Sequence, residues 1–507
     1  MKNITIVGGG SAGFMVAATL LKQLPNSKIT LIESKNVPTV GVGESTITGV
    51  KHWTKLLDIK DKDFLKATDG IYKLSIKFTD FYKKGESFHY PFGRPVLENN
   101  KALLNDWWFK KILNPHTPNS DYAESFYPVM AMINNKTLDK NADLPFIFDF
   151  DTAYHFDATK FAHWLKNEYC IPKGLNYIQE DIVSYQVDEN GIKSLNNKHT
   201  ADLFIDCTGF KALLLGEALG VPFESYNDLL PNDSAIATKL EYTDKSNQMV
   251  PYTNCTAIEN GWVWNIPLWS RIGTGYVYSS NYINEDQALE QFENHLKKKV
   301  KDIKKIKIKT GIHKKLWVKN VCAIGLSAGF IEPLESNGLH TVIKFLLNFL
   351  RNVQREKISQ WDKDNYTYQC KHEFKSFAEF VALHYALSHR TDTQYWKDLF
   401  NKNWTVSFED LKHVSYAGLF RAMERRHIDY HFSNEGGMHC IAAGMNWSPT
   451  DYPALSFYNQ EDKEDMKKNW TGLINDLNLR KKEWNEKANK LKSYMQFMKD
   501  EIYGNIY

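Results

Sequence analysis

Cysteine is scarce in this 507-residue sequence: six are present, Cys170, Cys207, Cys255, Cys322, Cys370 and Cys440, and no two form a C-x-x-C pair. Their scatter excludes a dense disulfide framework and gives no zinc-ligand spacing, so no metal site is expected and a reducing cytoplasm is the expected setting. An excess of one charge is also lacking. With 63 basic against 60 acidic side chains the formal net charge is +3, which excludes a global field that commits the protein to nucleic acid or an anionic membrane. A homo-oligomer is compatible with this balance, which does not set the oligomeric state. Long uncharged runs are almost absent. Residues 4–21 follow Lys2 and carry no charge, but Gly8, Gly9, Gly10 and Gly13 fall inside them, and such glycines weaken a spanning helix. No repeat or low-complexity tract is present, which excludes solenoids and long linkers.

What is present is an ordinary globular composition, 43% hydrophobic and 24% charged. At about 150 residues per domain the length fits three domain equivalents or one large α/β enzyme with insertions. Ile4 to Val7 reads as a buried parallel strand, residues 8–13 as a turn, 14–24 as a helix and 28–33 as a second strand, one βαβ unit. Residues 41–46, Gly-Val-Gly-Glu-Ser-Thr, make a second glycine turn before a helix at 50–57, with Ser45 or Thr46 available as its N-cap. Residues 70–154 are rich in aromatics and proline and read as an insertion of strands and loops. Residues 201–206 form another parallel-type strand ending in Cys207-Thr208-Gly209, and 235–278 alternate as an antiparallel sheet does. Residues 321–325 return to the parallel pattern. From Leu339 onward the period is helical. The lysine-rich run at 296–315 is interrupted by Ile303, Ile306 and Ile308 at spacings suited to half-buried structure, so it reads as a solvated face.

Four segments carry chemistry. In Gly8-x-Gly10-x-x-Gly13 the first glycine permits a tight turn, the second admits a diphosphate to the backbone, and the third lets helix pack on strand. The helix N-terminus, with Ser11 and Ala12, then faces the diphosphate. Glu33, ending the second strand 20 residues after Gly13, suits a ribose diol and repels a 2′-phosphate, which favours FAD or NAD over NADP. The motif alone does not separate those two. Trp262, Trp264 and Ile266 stand at spacing two, so on a strand they share one face; by periodicity alone an indole pair of this kind reads as hydrophobic core. Residues 71–80 alternate, with Tyr72, Leu74, Ile76 and Phe78 on one face and Lys73, Ser75, Lys77 and Thr79 on the other, and spacing reads the second as a wet face. Residues 329–338 precede a helix, so the last amides suit an anion, while Glu332 or Glu335 suits the helix dipole.

The strands at 201–209 and 321–325 resemble the second and third cofactor-contacting strands of the glutathione-reductase-like flavoproteins. Gly8 to Gly13, Gly43-Glu44-Ser45-Thr46, Lys73 before Ile76-Lys77-Phe78, Trp262-x-Trp264-x-Ile266-Pro267, and Gly325-Leu326 through Phe330-Ile331-Glu332-Pro333-Leu334-Glu335-Ser336 resemble, in order, the flavin-dependent halogenases, in particular the branch acting on tryptophan and other indoles. The resemblance covers the first two-thirds of the chain. It implies an α/β fold, glutathione-reductase-like with a Rossmann-type parallel sheet, an inserted antiparallel substrate sheet and a helical C-terminal region. The expected division is a FAD-binding module over 1–340, with substrate-binding insertions at about 70–154 and 220–320, and helices over 341–507 completing the substrate site.

The resemblance also implies roles. Reduced FAD, O2 and a halide (chloride, bromide or iodide) yield hypohalous acid, which reaches a small aromatic substrate through a tunnel. Lys73 matches the essential lysine, Glu335 the nearby carboxylate, and the backbone at Asn337 and Gly338 the halide site. Gly8, Gly10, Ser11, Ala12, Gly13, Glu33, Gly43, Glu44, Ser45, Thr46, Gly325 and Leu326 are the implied FAD contacts. Trp262, Trp264, Ile266, Pro267, Tyr90, Phe92 and Ser336 are the implied tunnel and substrate residues. Leu326 stands where many flavin hydroxylases carry aspartate. The sequence departs from the indole branch at Tyr90-Pro91-Phe92-Gly93, where a histidine is common two places before the phenylalanine; here His89 stands one place earlier. Trp447 and its neighbours are candidates for C-terminal substrate contact. No second dinucleotide motif for NADPH is present, so a separate flavin reductase is the implied partner. An aromatic monooxygenase on the same scaffold, whose product gains oxygen instead of halogen, and a flavin-binding protein without turnover are the alternatives.

Replacing Gly10 by valine is expected to block diphosphate approach and abolish flavin affinity in a fluorescence titration. Wild-type affinity in that variant would contradict the cofactor assignment.

Overall fold

Continuous apolar runs build the central parallel sheet. Asn3–Val7 lies between Leu203–Asp206 and Lys28–Glu33, with Ile4 opposite both Leu203 and Ile29. Six strands follow the order 317–318, 321–323, 203–206, 3–7, 28–33 and 176–179, all pairings parallel except that of 317–318 with 321–323. Ile4, Ile6, Leu31, Phe204 and Ile205 are fully enclosed, as strands covered on both faces must be. The computed structural model describes residues 2–37, 43–96, 107, 110–111, 113–353, 357–404, 435–447 and 460–504. Gly41 and Val42 of the second glycine turn lie outside them. The first helix runs Ser11–Gln23, starting three residues before the expected Phe14, because Gly10 is already in extended geometry as its N-cap. Asp206 closes the crossover after Leu203–Asp206. Its buried carboxylate accepts from Thr208 N (3.0 Å) and Oγ1 (2.7 Å), and from Leu214 N (2.8 Å) and Leu215 N (2.9 Å).

A seven-stranded sheet follows the order 304–307, 234–241, 271–278, 261–267, 252–258, 75–79 and 87–91. All its pairings are antiparallel except Tyr252–Ile258 with Ser75–Thr79. Trp262, Trp264 and Ile266 face the main core, while Val263, Tyr276 and Tyr278 pack under the helix Glu285–Leu296 on the other face. The lysine-rich run supplies the edge strand Lys304–Lys307, its lysines exposed and Ile306 half-buried, a charge pattern that blunts edge-to-edge pairing.

Three expectations need correction. Residues 71–80 are not one strand with a wet face: Ile71–Lys73 pairs with Ala153–Phe156, whereas Ser75–Thr79 joins the seven-stranded sheet. The chain changes sheets at Leu74, whose amide donates to Pro251 O (2.7 Å) and whose carbonyl accepts from Phe92 N (2.8 Å). Both Lys73 and Ser75 are consequently fully buried. Neither Ser45 nor Thr46 caps the second helix, which runs Gly49–Leu56 after Thr48; their hydroxyls are engaged across the neighbouring strands. The 70–154 segment also contains the helices Asp121–Phe126 and Val129–Asn135, each too short to show a helical period.

Beyond residue 338 helices dominate, as expected. Gly338–Val353 and Gln360–Ala386 pack against the core, Glu435–Gly444 lies against the strand Ser87–Pro91, and Gln460–Ala488 runs along residues 121–135. Among the described residues no helix is long and apolar enough to cross a membrane, and all six cysteines are free.

Asp206→Ala leaves several buried donors without an acceptor. It is expected to destabilise the fold by about 3 kcal/mol, read as a lower urea midpoint; an unchanged midpoint would contradict the role given to Asp206.

Candidate active site

The site begins at the glycine turn. A Cβ at Gly8 would lie 2.2 Å from Cys207 O, and one at Gly13 would lie 1.9 Å from Gly8 O. Gly10 differs: its missing Cβ faces open space, with nothing within 4 Å, at the N-terminus of Ser11–Gln23. Such a cradle fits a diphosphate. Gly325 closes it from the other side, in left-handed geometry (φ 82°) with Ala12 Cβ 2.9 Å from where its own Cβ would sit. Half-buried Leu326 follows in the same turn. The Glu33 carboxylate packs against Gly9 and accepts from Tyr177 OH (2.5 Å) and Lys166 Nζ (3.3 Å). The residues present therefore fit an adenine dinucleotide.

A three-stranded sheet carries the chain from this cradle to the chemistry. Glu44–Ser45 and Ile71–Lys73 flank Ala153–Phe156 on opposite sides. Ser45 and Ile71 both pair with His155, and Lys73 with Ala153, so Ser45, His155 and Lys73 share one face. Lys73 Nζ donates to Thr46 O (3.0 Å) and Ser336 Oγ (2.8 Å), and stands 5.0 Å from the Phe92 ring centre. Burial pulls its pKa down to about 7, with the Cys255 thiol and the Glu335 carboxylate opposing the fall. Glu44 reaches about 7 from the opposite direction, pushed up by burial and then by the Asp157 carboxylate.

Glu335 lies on a single helical turn, Pro333–Glu335, which ends at Ser336 in left-handed geometry (φ 57°). Its carboxylate is buried, with His384 Nε2 2.9 Å from Oε1. Because His384 Nδ1 donates to Val381 O (3.0 Å), Nε2 is the nitrogen that faces the carboxylate. Burial raises the Glu335 pKa, while His384 and then Lys73 oppose the rise. Neither this carboxylate nor Glu332 merely complements a helix dipole. Glu332 is wholly enclosed and accepts from Tyr385 OH (2.6 Å), Asn232 Nδ2 (2.9 Å) and Trp262 Nε1 (3.1 Å). Asn337 is buried, and Gly338 opens the long helix with the Glu44 carboxylate 4.0 Å from its missing Cβ.

The paired tryptophans stand with ring centres 6.1 Å apart, tilted 58°. Their strand bridges the two halves of the site: Trp262 anchors the Glu332 turn, Ile266 abuts Gly43, and the Pro267 carbonyl accepts from His155 Nδ1 (3.0 Å). Tyr90 and Phe92 stand edge to face at 6.2 Å, and Tyr90 OH fills the space beside Gly437, 2.7 Å from where a Cβ would sit. His89 points away from them, bonded to Ser75 Oγ (2.9 Å) and packed on Tyr252. Trp447 is half-buried against the core after Glu435–Gly444. His155, Thr253 and His384 escape sequence reasoning, since no motif or spacing marks any of them.

The tryptophan halogenase family model matches residues 3–457. A 7-chloro-L-tryptophan 6-halogenase, KtzR of Kutzneria sp. (strain 744), is 33% identical over 425 residues, covering 78% of this chain and 81% of the relative. Among solved structures, VirX1 in its apo form superposes with a TM-score of 0.87 at 37% identity, covering 99% of this chain and 100% of the other. Tar14, a tryptophan C-6 flavin-dependent halogenase (chlorinase) from taromycin biosynthesis, superposes at 0.85 with 29% identity, covering 98% and 99%. With the glycine cradle, the buried lysine and the buried carboxylate in family order on one chain, this protein belongs to the tryptophan halogenase family.

Proposed function

We propose that this chain halogenates a small electron-rich aromatic, an indole, using reduced FAD from a separate flavin reductase. The observation that carries the reading is the enclosed Lys73 amino group, held by Thr46 O and Ser336 Oγ with the Glu335 carboxylate as a nearby charge. The relatives named for tryptophan halogenation support the substrate class. When bound, reduced FAD with O2 and a halide supplies hypohalous acid. Gly8, Gly10, Ser11, Ala12, Gly13, Glu33, Gly43 to Thr46, Gly325 and Leu326 would hold the cofactor, and the amides at Asn337 and Gly338 the halide. The one chlorinase among the named relatives makes chloride the first halide to test. The free cysteines support a reducing cytoplasm as the setting.

Lys73 then fixes the electrophile. Two of its N–H bonds are engaged by Thr46 O and Ser336 Oγ, and the remaining one is available to hydrogen-bond hypohalous acid in a site closed to water. Phe92, against the lysine, and Tyr90 offer faces on which an indole ring packs. Glu335, a buried carboxylate facing His384, takes the proton that leaves the ring carbon after the halogen has added.

Mass spectrometry of indole-type substrates incubated with FAD, a flavin reductase, NADH and each halide in turn tests the proposal: a product gaining halogen is expected, and a product gaining oxygen would overturn it. Glu335→Gln cannot take that proton. Its turnover is expected to fall about 10²–10⁴-fold with flavin binding retained; a loss well under about tenfold would contradict the assignment. The depressed lysine pKa also has a signed consequence. From pH 7 upward towards about 10.4 the unfolded chain holds a proton on Lys73 that the folded chain has released, so this group's contribution to stability rises with pH. The thermal midpoint of the wild type is therefore expected to gain on that of Lys73→Met between pH 7 and pH 10, and a pH-independent difference would contradict the shift.

A further inference from the structure

A chain of hydroxyls leads from Lys73 to an imidazole with no assigned part in the chemistry. Ser336 Oγ, which accepts from Lys73, lies 2.9 Å from Ser45 Oγ; Ser45 Oγ lies 2.6 Å from Thr253 Oγ1; and Thr253 Oγ1 lies 2.8 Å from His155 Nε2. All five residues are buried. The direction of each bond follows from its far end. Pro267 O can only accept, so the His155 proton is on Nδ1. Burial, and then the positive charge of Lys73, holds His155 well below the ordinary histidine range, so the ring is neutral and Nε2 is a bare acceptor. Thr253 must then donate to Nε2. Each hydroxyl carries one proton, so Ser45 donates to Thr253 and Ser336 donates to Ser45. Ser336 is left able only to accept at Lys73.

We propose that His155, acting through Thr253, Ser45 and Ser336, is a positioning residue that orients the Lys73 amino group: it fixes Ser336 as the acceptor of one lysine N–H and so aims another at the electrophile. The opposite tautomer would reverse every hydroxyl and point the Ser336 proton at the ammonium, a clash that only a neutral amine relieves. The carbonyl of Pro267, at the end of the paired-tryptophan strand, excludes that tautomer. The motif therefore reaches Lys73 through its backbone. The inference rests on the proposed role of Lys73 in halogenation.

The test pairs Thr253→Val with Thr253→Ser in the full chain. Valine keeps the β-branched shape on the strand and removes the hydroxyl; serine restores the hydroxyl. Thr253→Val is expected to lower kcat for indole halogenation about 10–100-fold, the order that goes with misplacing a reacting group by up to about 1 Å, without raising KM or weakening flavin binding. Thr253→Ser is expected to return kcat to near wild type. A wild-type kcat in Thr253→Val, or a KM rise that accounts for the whole loss, would overturn the inference while leaving the halogenase reading intact. A second readout needs no turnover. In the 15N-histidine NMR spectrum of the full chain, the signal absent from His155→Gln should report a neutral ring protonated on Nδ1. A ring protonated on Nε2 would overturn the inference. Should the wild type give no halogenated product with any halide, the proposed function fails and the tautomer alone decides the positioning role.

Discussion

Enclosing an ammonium group carries a desolvation penalty of several kcal/mol unless fixed acceptors replace water, and Lys73 has no exposed surface. Its acceptors come from two separate parts of the chain: the Thr46 carbonyl after the second glycine turn, and the Ser336 hydroxyl before the long helix. The backbone irregularities nearby follow from bringing these together. The break at Leu74 turns Lys73 into the three-stranded sheet while releasing Ser75 into the larger one. The left-handed Ser336 turns the chain sharply between the carboxylate turn and the helix, and local strain of this kind persists only where surrounding structure over-determines it.

The two buried carboxylates of the same turn are treated differently. Glu332 is met by Tyr385, Asn232 and Trp262, a ring of donors that satisfies it and leaves it structural. Glu335 has His384 on one side and Lys73 as a nearby charge, which leaves a carboxyl able to exchange a proton. One strand serves both purposes: its first indole fixes Glu332, and its last carbonyl fixes His155.

Local signals made the parallel sheet legible. The strand at 28–33 is observed as read, because a short run rich in β-branched and apolar residues between a helix and a turn has few alternatives. The glycine turn was legible because each glycine answers a separate steric demand, and Gly10 alone opens onto space. Lys73 was different. Its alternation with Lys77 gave no reason to distinguish the two lysines, and only the change of sheet at Leu74 does so, a tertiary event that no local pattern encodes. Resemblance, not periodicity, selected it. The hydroxyl chain was invisible for the same reason: Ser45, Thr253 and His155 lie on strands far apart in sequence and meet only in the folded site. Ser45 and Thr46 look like a helix cap in sequence because their preference for that place is strong, yet in the fold both hydroxyls go to buried strands.

At the centre of this account, Lys73 acts after the oxidant has formed, guiding it to the ring. Lys73→Ala, assayed in one reaction for halogenated product by mass spectrometry and for reoxidation of reduced flavin by absorbance, tests this most directly. The account predicts that reoxidation continues at near the wild-type rate while product is lost. Product formation at the wild-type rate would contradict it, and so would loss of reoxidation together with product.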